Sequence, residues 1–329
     1  MMEKKLFFFN KLSEYRSALM GVAMLSIMLS HQRFVHFFPF NVFEAYGHWG
    51  VDIFLFLSGM GMVRSLKNHS IGQFYRRRFL RLVPICIFCG VIKYLIYLFV
   101  GEPIENLKVG LNIGILSLCS LDLWFIHSII IYYLLTPFFY RLLKCCFWQT
   151  LVVVYLLSIV FQLFYAEQVG FDWLSPLGVS LYTIERLPVF MIGMIVSMYN
   201  SGITQKQFVI SGVSLFMTIC LAVLLKTDII PLTFFACVYP LLSLGILALV
   251  LSMIYIFTLI SRNVLRSFDF MGNHSLEIYL VHEFIFGAFL LTMYTKYNHF
   301  LLLIIVFGLS VVIAWCCRWC VDRIMAYIH

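Results

Sequence analysis

Histidine, acidic and arginine side chains lie at or near the ends of apolar segments of this chain. His31 closes the segment LMGVAMLSIMLSH, Asp52 lies inside GVDIFLFLSG, and Arg186 follows Glu185 in YTIERLPVF. Ionisable groups in apolar segments are costly, and they usually have a partner and a function. A neutral imidazole beside a carboxylate is the usual arrangement of a general base that acts on a hydroxyl. The residue types therefore indicate base chemistry on a hydroxyl group.

Each of these residues also has a structural explanation. A histidine at the end of an apolar segment, such as His31 or His127 in LDLWFIH, is commonly a hydrogen-bonded surface residue. Asp52 would then orient a neighbouring helix, and Arg186 would anchor its helix at the membrane interface. His282, in NHSLEIYLVHEFIF, has the same alternative, a structural hydrogen bond.

A second pattern is the arginine-rich sequence FYRRRFLRLVP, which contains Arg76, Arg77, Arg78 and Arg81. We expect it in a short loop that runs into the next apolar segment. Guanidinium groups bind phosphate in bidentate fashion, so the cluster suits a phosphorylated ligand. The alternative is the ordinary enrichment of basic residues at the cytoplasmic side, where they meet lipid headgroups.

The composition predicts how these residues are positioned. Hydrophobic residues make up 63% of the chain and charged residues 12%, with a mean hydropathy of +0.98. A soluble domain has about 25% charged residues, so this is a polytopic membrane protein. We expect an all-α membrane bundle of about ten transmembrane helices, forming a single domain over residues 1–329. The predicted spans are 14–31, 48–63, 82–100, 122–139, 147–165, 187–199, 207–225, 239–260, 275–292 and 301–320.

The 23 Lys and Arg residues predict the orientation of these spans. With the N-terminus in the cytoplasm, 17 of them fall on the inner side and six on the outer side. This bias favours both termini inside a cell membrane and argues against a nucleic-acid partner. It places the arginine-rich sequence inside, and His31, Asp52, His127 and the Glu185–Arg186 pair near the outer face. The cysteines, including Cys86 and Cys89 of a C-x-x-C, indicate buried thiols, and we expect no metal.

Six blocks of the chain together resemble the membrane-bound acyltransferase family 3, whose members O-acylate surface glycans. They occur in the family's order and cover nearly the whole chain. They are the first span ending at His31, GVDIFLFLSG, FYRRRFLRLVP, LWFIHSIIIYYLLTP, RLPVFMIGMI and GNHSLEIYLVHEFI.

The resemblance implies ten core helices and an acyl-CoA donor, usually acetyl-CoA, that binds from the cytoplasm. It implies that His31 is catalytic and that Arg76–Arg81 contact the phosphates of the coenzyme. The chain departs from the family at one position. An arginine usually stands eleven residues before the histidine, but Met20 is found there and Arg16 lies one turn further away.

These observations predict O-acetyl transfer to a surface polysaccharide or a lipid-linked sugar. We expect His31 to act as general base or transient acetyl carrier, aided by Asp52, Glu185 or His127. Arg186 would stabilise the oxyanion. Two alternatives remain at this stage, a transporter of a lipid-linked glycan and a catalytically inactive assembly subunit. Membrane lipid is an expected partner, and a homo-oligomer is compatible with the sequence.

Overall fold

The computed structural model describes residues 5–6, 9–38, 40, 47, 49–101, 124–166, 176–199, 203–226, 229, 237–293 and 298–328. Within these ranges the chain is almost entirely helical. A two-residue antiparallel pair joins β1 (Lys5–Leu6) to β2 (Ile203–Thr204). The helices are α1 Phe9–Glu14, α2 Arg16–His31, α3 Trp49–Asn68, α4 Ile71–Val100, α5 Trp124–Cys145, α6 Phe147–Ala166, α7 Pro176–Tyr199, α8 Gln205–Lys226, α9 Val238–Leu259, α10 Arg262–Asn273, α11 Ser275–Met293 and α12 His299–Ile328.

Every predicted span corresponds to a helix, although residues 48 and 122–123 at the ends of two spans lie outside the described ranges. Eight helices of the described chain are long and apolar enough to cross a membrane. The predicted spans 14–31 and 275–292 correspond to α2 and α11, which have 16 and 19 residues. The prediction of an all-α, polytopic membrane protein is confirmed, and the number of helices is compatible with about ten.

The surfaces of several helices are apolar, as a lipid environment requires. On α8, Val213 is 58% exposed and Phe216 is 65% exposed. Helices α6, α4 and α12 likewise present large aliphatic and aromatic side chains outward. A water-soluble protein rarely exposes continuous apolar surface of this extent, whereas the interior of a bilayer is as apolar as these side chains.

The chain groups into two compact units. The first comprises Met1–Arg16, Asp52–Tyr75 and Trp124–Ser261. Within it, α7 packs against α5, α6 and α9, and α8 packs against α9. The second comprises Ser17–Val51, Arg76–Leu123 and Arg262–His329, and within it α11 packs against α12. The prediction of a single domain over 1–329 stays a prediction.

Two glycines let α3 and α7 approach closely in the first unit. A Cβ on Gly59 would collide with the carbonyl oxygen of Phe190, and a Cβ on Gly193 would collide with that of Phe56. Small residues at such crossings bring helix backbones together in membrane proteins. Lys67, in the last turn of α3, donates to the carbonyls of Ser197 and Met198 at the end of α7, at 3.0 and 3.2 Å. The two helices therefore run in the same direction.

Glycines serve the same purpose between α2 and α10 in the second unit. A Cβ on Gly272 would overlap the carbonyl oxygen of Ser17, and one on Gly21 would overlap that of Phe268. The Ser17 hydroxyl also donates to Asn273 Oδ1 at 3.0 Å. These contacts fix the helix that carries His31 at its end.

Candidate active site

His31 is paired with a second histidine of the same unit. Its Nδ1 lies 2.9 Å from Nε2 of His282, and the two rings are stacked with centroids 5.0 Å apart and planes 15° from parallel. His282 is 1% exposed, whereas His31 is only partly buried. A structural hydrogen bond is predicted for His282 from the sequence, whereas its contact with His31 is not.

The end of α2 at His31 is produced by the next residue, Gln32. This side chain is fully buried, and its Oε1 accepts hydrogen bonds from the backbone N–H groups of Phe34 and Val35 at 3.0 and 2.9 Å. Its Nε2 donates to the Val35 carbonyl at 2.6 Å. Buried backbone groups require hydrogen-bond partners. Here the side-chain amide of Gln32 supplies the partners that a continued helix would have supplied. The helix ends there, with His31 as its last residue.

Aromatic side chains hold the histidine pair in place. The ring of Phe34 meets that of Phe286 edge-on, with centroids 6.1 Å apart, and Phe286 meets His282 in the same way at 5.8 Å. Tyr279, one turn before His282, has its ring centroid 5.7 Å from the imidazole. The turn after α2 and the middle of α11 are therefore locked together around the two imidazoles.

The first unit contains a separate group of buried charged residues, which we call the Arg186 cluster: Asp52, Gln162, Glu185, Arg186 and Tyr239. Arg186 Nη1 donates to Glu185 Oε1, and Gln162 Nε2 donates to Glu185 Oε2. Arg186 Nη2 donates to the Tyr239 hydroxyl at 2.7 Å. The three charged side chains are at most 3% exposed as residues. The cluster joins α3, α6, α7 and α9.

Three aromatic rings enclose the Arg186 guanidinium. Its Cζ lies 4.4 Å from the ring centroid of Tyr239, 4.7 Å from that of Trp124 and 5.4 Å from that of Tyr182. Cation–π contacts stabilise a desolvated arginine by about 2 kcal/mol or more. This environment holds Arg186 rigidly between helices, whereas its predicted role with an oxyanion stays a prediction.

Asp52 is a member of the Arg186 cluster whose two carboxylate oxygens both lack a hydrogen bond from the described residues. The side chain is completely buried. Its oppositely charged neighbour in the cluster is the Arg186 guanidinium, whose Nε lies 3.5 Å from Asp52 Oδ1. A carboxyl group in an apolar segment is predicted to have a partner, and that partner is Arg186.

The arginine-rich sequence lies within a helix instead of the predicted loop. Helix α4 begins at Ile71, only three residues after α3 ends, so all four arginines belong to its first three turns. Arg76, Arg77 and Arg81 are exposed, and Arg78 is partly buried. Residues four apart share a face of a helix, so Arg77 and Arg81 are neighbours there. The predicted contact with phosphates stays a prediction.

His127 lies one turn into α5 and is partly buried, in the same unit as the Arg186 cluster.

The second unit has another buried acid, to which the sequence assigns no role. Glu277, in the first turn of α11, is fully buried and accepts from Arg318 Nη1 at 3.0 Å, while Arg318 Nε donates to Asp322 at 2.8 Å. No sequence signal joined Glu277 to a residue on α12.

The family comparison accounts for nearly all of these elements. A family model described as an acyltransferase domain, that of acyltransferase family 3, matches residues 18–319, from the start of α2 to the last turns of α12. No curated protein and no solved structure matches the chain. The matched region includes the histidine pair, the Arg186 cluster and the four arginines of α4. With its apolar helices, the chain is a multi-pass membrane protein that belongs to acyltransferase family 3.

Proposed function

We propose that this protein is an O-acetyltransferase that moves an acetyl group from acetyl-CoA to a hydroxyl of a surface polysaccharide or a lipid-linked sugar. The observation that carries the proposal is the His31–His282 pair. An imidazole that is only partly buried, held by a second imidazole at 2.9 Å, is suited to act on a substrate. Membership of the acyltransferase family supplies the class of reaction.

In the general-base form of the reaction, His31 takes the proton of the acceptor hydroxyl, and the hydroxyl oxygen attacks the thioester carbonyl. A C–O bond forms and the C–S bond breaks. The departing thiolate then takes the proton from the imidazolium, which restores the neutral ring. The products are the O-acetyl sugar and free CoA.

In the carrier form, His31 itself attacks the thioester carbon and releases CoA thiolate. The acetyl group then moves from the ring nitrogen to the sugar oxygen, and the hydroxyl proton passes to the thiolate or the solvent. Both forms use the same side chain and give the same products. An acetylated protein that accumulates in the absence of acceptor is expected only in the carrier form.

The remaining predicted residues have supporting roles in this proposal. Arg76, Arg77, Arg78 and Arg81 would bind the phosphates of acetyl-CoA at the cytoplasmic end of α4. Asp52, Glu185, Arg186 and His127 stay candidate catalytic residues in this proposal. The bias of basic residues supports cytoplasmic termini in a cell membrane.

The test is acetyl transfer by the purified protein in lipid nanodiscs, with labelled acetyl-CoA, combined with the acetyl content of surface glycans and lipid-linked precursors in cells. We expect His31→Ala to lower transfer by at least about 10²-fold, the effect of losing a general base. The control is His274→Ala, which alters a partly buried histidine in the turn between α10 and α11. Wild-type transfer by His31→Ala would overturn the proposal. Glycan transport by the wild type without release of CoA would overturn it as well.

A further inference from the structure

The hydrogen bonds of His282 determine which of its nitrogens carries a proton. Its Nδ1 lies 2.8 Å from the carbonyl oxygen of Tyr279 and 3.1 Å from that of Ile278. Carbonyl oxygens only accept hydrogen bonds, so a hydrogen must reside on Nδ1. A neutral imidazole has one N–H group, and therefore Nε2 of His282 has a free lone pair and is an acceptor.

The neutral form of His282 follows from its surroundings. The ring is 1% exposed, and both of its nitrogens are occupied by uncharged partners, two carbonyls and His31. The rings of Tyr279 and Phe286 lie against it. A buried imidazolium without a compensating anion would be strongly destabilised. Nε2 of His282 thus accepts a hydrogen bond.

The partner at Nε2 is Nδ1 of His31, 2.9 Å away. Two lone pairs facing each other at this distance would repel, so the hydrogen between the rings belongs to His31 Nδ1. A neutral His31 then has no hydrogen on Nε2. We infer that His282 is a positioning residue that holds His31 in the Nδ1–H tautomer and so makes Nε2 of His31 the atom that reacts.

This inference rests on the proposed function, and it defines the geometry of the step. Nε2 of His31 takes the proton of the hydroxyl in the base form, or bonds to the acetyl carbon in the carrier form. In both forms the ring gains positive charge, and its Nδ1–H bond to His282 disperses that charge. His282 acts through His31 and does not touch the substrate in this scheme.

The test compares two substitutions of His282. Glutamine retains a donor for the Tyr279 carbonyl and an acceptor for His31 Nδ1, whereas leucine retains neither. We expect His282→Leu to lower kcat by about 10²- to 10⁴-fold, the range found when the orienting partner of a working histidine is removed. We expect His282→Gln to remain within about tenfold of the wild type, because the pattern of donor and acceptor is preserved.

The matched control is His274→Leu. His274 also has its Nδ1 against a backbone carbonyl, that of Phe270 at 2.9 Å, but it lies in the turn before α11 and is only partly buried. We expect wild-type transfer from this variant. Thermal unfolding in detergent identifies any variant that fails to fold, and only folded variants enter the comparison.

A second measurement does not depend on activity. Nitrogen-15 NMR of histidine-labelled protein, with the signals of His31 assigned by their loss in His31→Ala, reports which ring nitrogen is protonated. We expect protonated Nδ1 and bare Nε2 in the wild type and in His282→Gln, and a mixture of tautomers in His282→Leu. Protonated Nε2 in the wild type, or unchanged transfer by His282→Leu while His31→Ala is inactive, would overturn the inference. The proposed function fails on a different result, an active His31→Ala.

Discussion

Asp52 and Glu185 are two buried acids that share one guanidinium, that of Arg186. If both acids were ionised, these three groups would carry a net charge of −1 in an apolar interior, which is unfavourable. Glu185 receives hydrogen bonds from Gln162 and Arg186, whereas Asp52 receives none among the described residues. The ionised form of Glu185 is therefore better stabilised than that of Asp52, and we expect Asp52 to be the acid that holds a proton.

Amide substitutions distinguish these two acids. Asp52→Asn replaces a neutral acid by a neutral group of the same shape, so we expect a stability within about 1 kcal/mol of the wild type. Glu185→Gln leaves the buried Arg186 without its anion, and we expect a loss of about 3–5 kcal/mol. Thermal or denaturant unfolding in detergent measures both. An equal loss for the two variants would contradict this assignment of the proton.

At the residue scale, the sequence predicts candidate site residues where an ionisable side chain stands in an apolar segment. His31, Asp52 and Arg186 are conspicuous because charged and imidazole groups are rare in apolar segments. The partner of His31 is 251 positions away along the chain, and only the packing of α2 near α11 brings the rings together. Gln32 gave no signal either, because its role depends on a local turn that its sequence neighbours do not indicate.

At the scale of helices, the approach of α3 to α7 brings Asp52 to Arg186. Gly59 lies two turns after Asp52, and Gly193 lies two turns after Arg186, since seven residues make about two turns. Each glycine faces a backbone carbonyl of the opposite helix. The spacing between Asp52 and Arg186 is therefore determined by backbone contact two turns away.

Alanine at Gly193 tests this contact. The added methyl group would meet the Phe56 carbonyl, which has no freedom to move aside, so we expect Gly193→Ala to cost about 1–3 kcal/mol of stability. Gly212→Ala in α8 is the matched control, because nothing lies within 4 Å of its added Cβ. Alanine is favoured over glycine in a helix interior by about 1 kcal/mol, so the control is expected to be neutral or stabilising. Similar melting temperatures for both variants would contradict this account of the α3–α7 contact.

The helices themselves were predictable, and their limits less so. Long apolar runs predicted every span, because a bilayer requires about 20 apolar residues with all backbone hydrogen bonds made internally. The start of α4 was missed. The arginine-rich sequence is predicted to form a loop, but only two residues separate α3 from α4, and the chain is helical from Ile71. Gly101, with φ of 84°, ends α4 in the left-handed conformation that glycine adopts readily.

At the scale of the whole molecule, the basic residues at the start of α4 set the expected side for the acyl donor. Arg76 and Arg81 are exposed. We expect Arg76→Gln and Arg81→Gln each to raise the KM for acetyl-CoA about tenfold, since a hydrogen bond to a charged group contributes about 1.5–3 kcal/mol. The effect on kcat is expected to be small. Initial rates in nanodiscs measure both constants.

The matched control for these two variants is Arg266→Gln, which removes the same charge from an exposed position on α10. Dephospho-CoA thioester, which lacks one phosphate, identifies the group that is bound. If an arginine contacts the missing phosphate, its substitution by glutamine is expected to leave the KM for this donor unchanged. An equal rise in KM for Arg266→Gln would mean that the charge of the surface alone matters, and the specific contact would be refuted.

The adjacency of Glu185 and Arg186 also matters while the ribosome is still making the chain. Helix α7 carries its anion and its cation side by side, so it can leave the translocon as a nearly neutral unit. Helix α3 is made long before α7, so Asp52 has no counterion at that point. A lone charge in lipid is costly. We therefore expect α3 to enter the membrane with Asp52 as the neutral acid, which is also the form that we expect this residue to keep once α7 is in place.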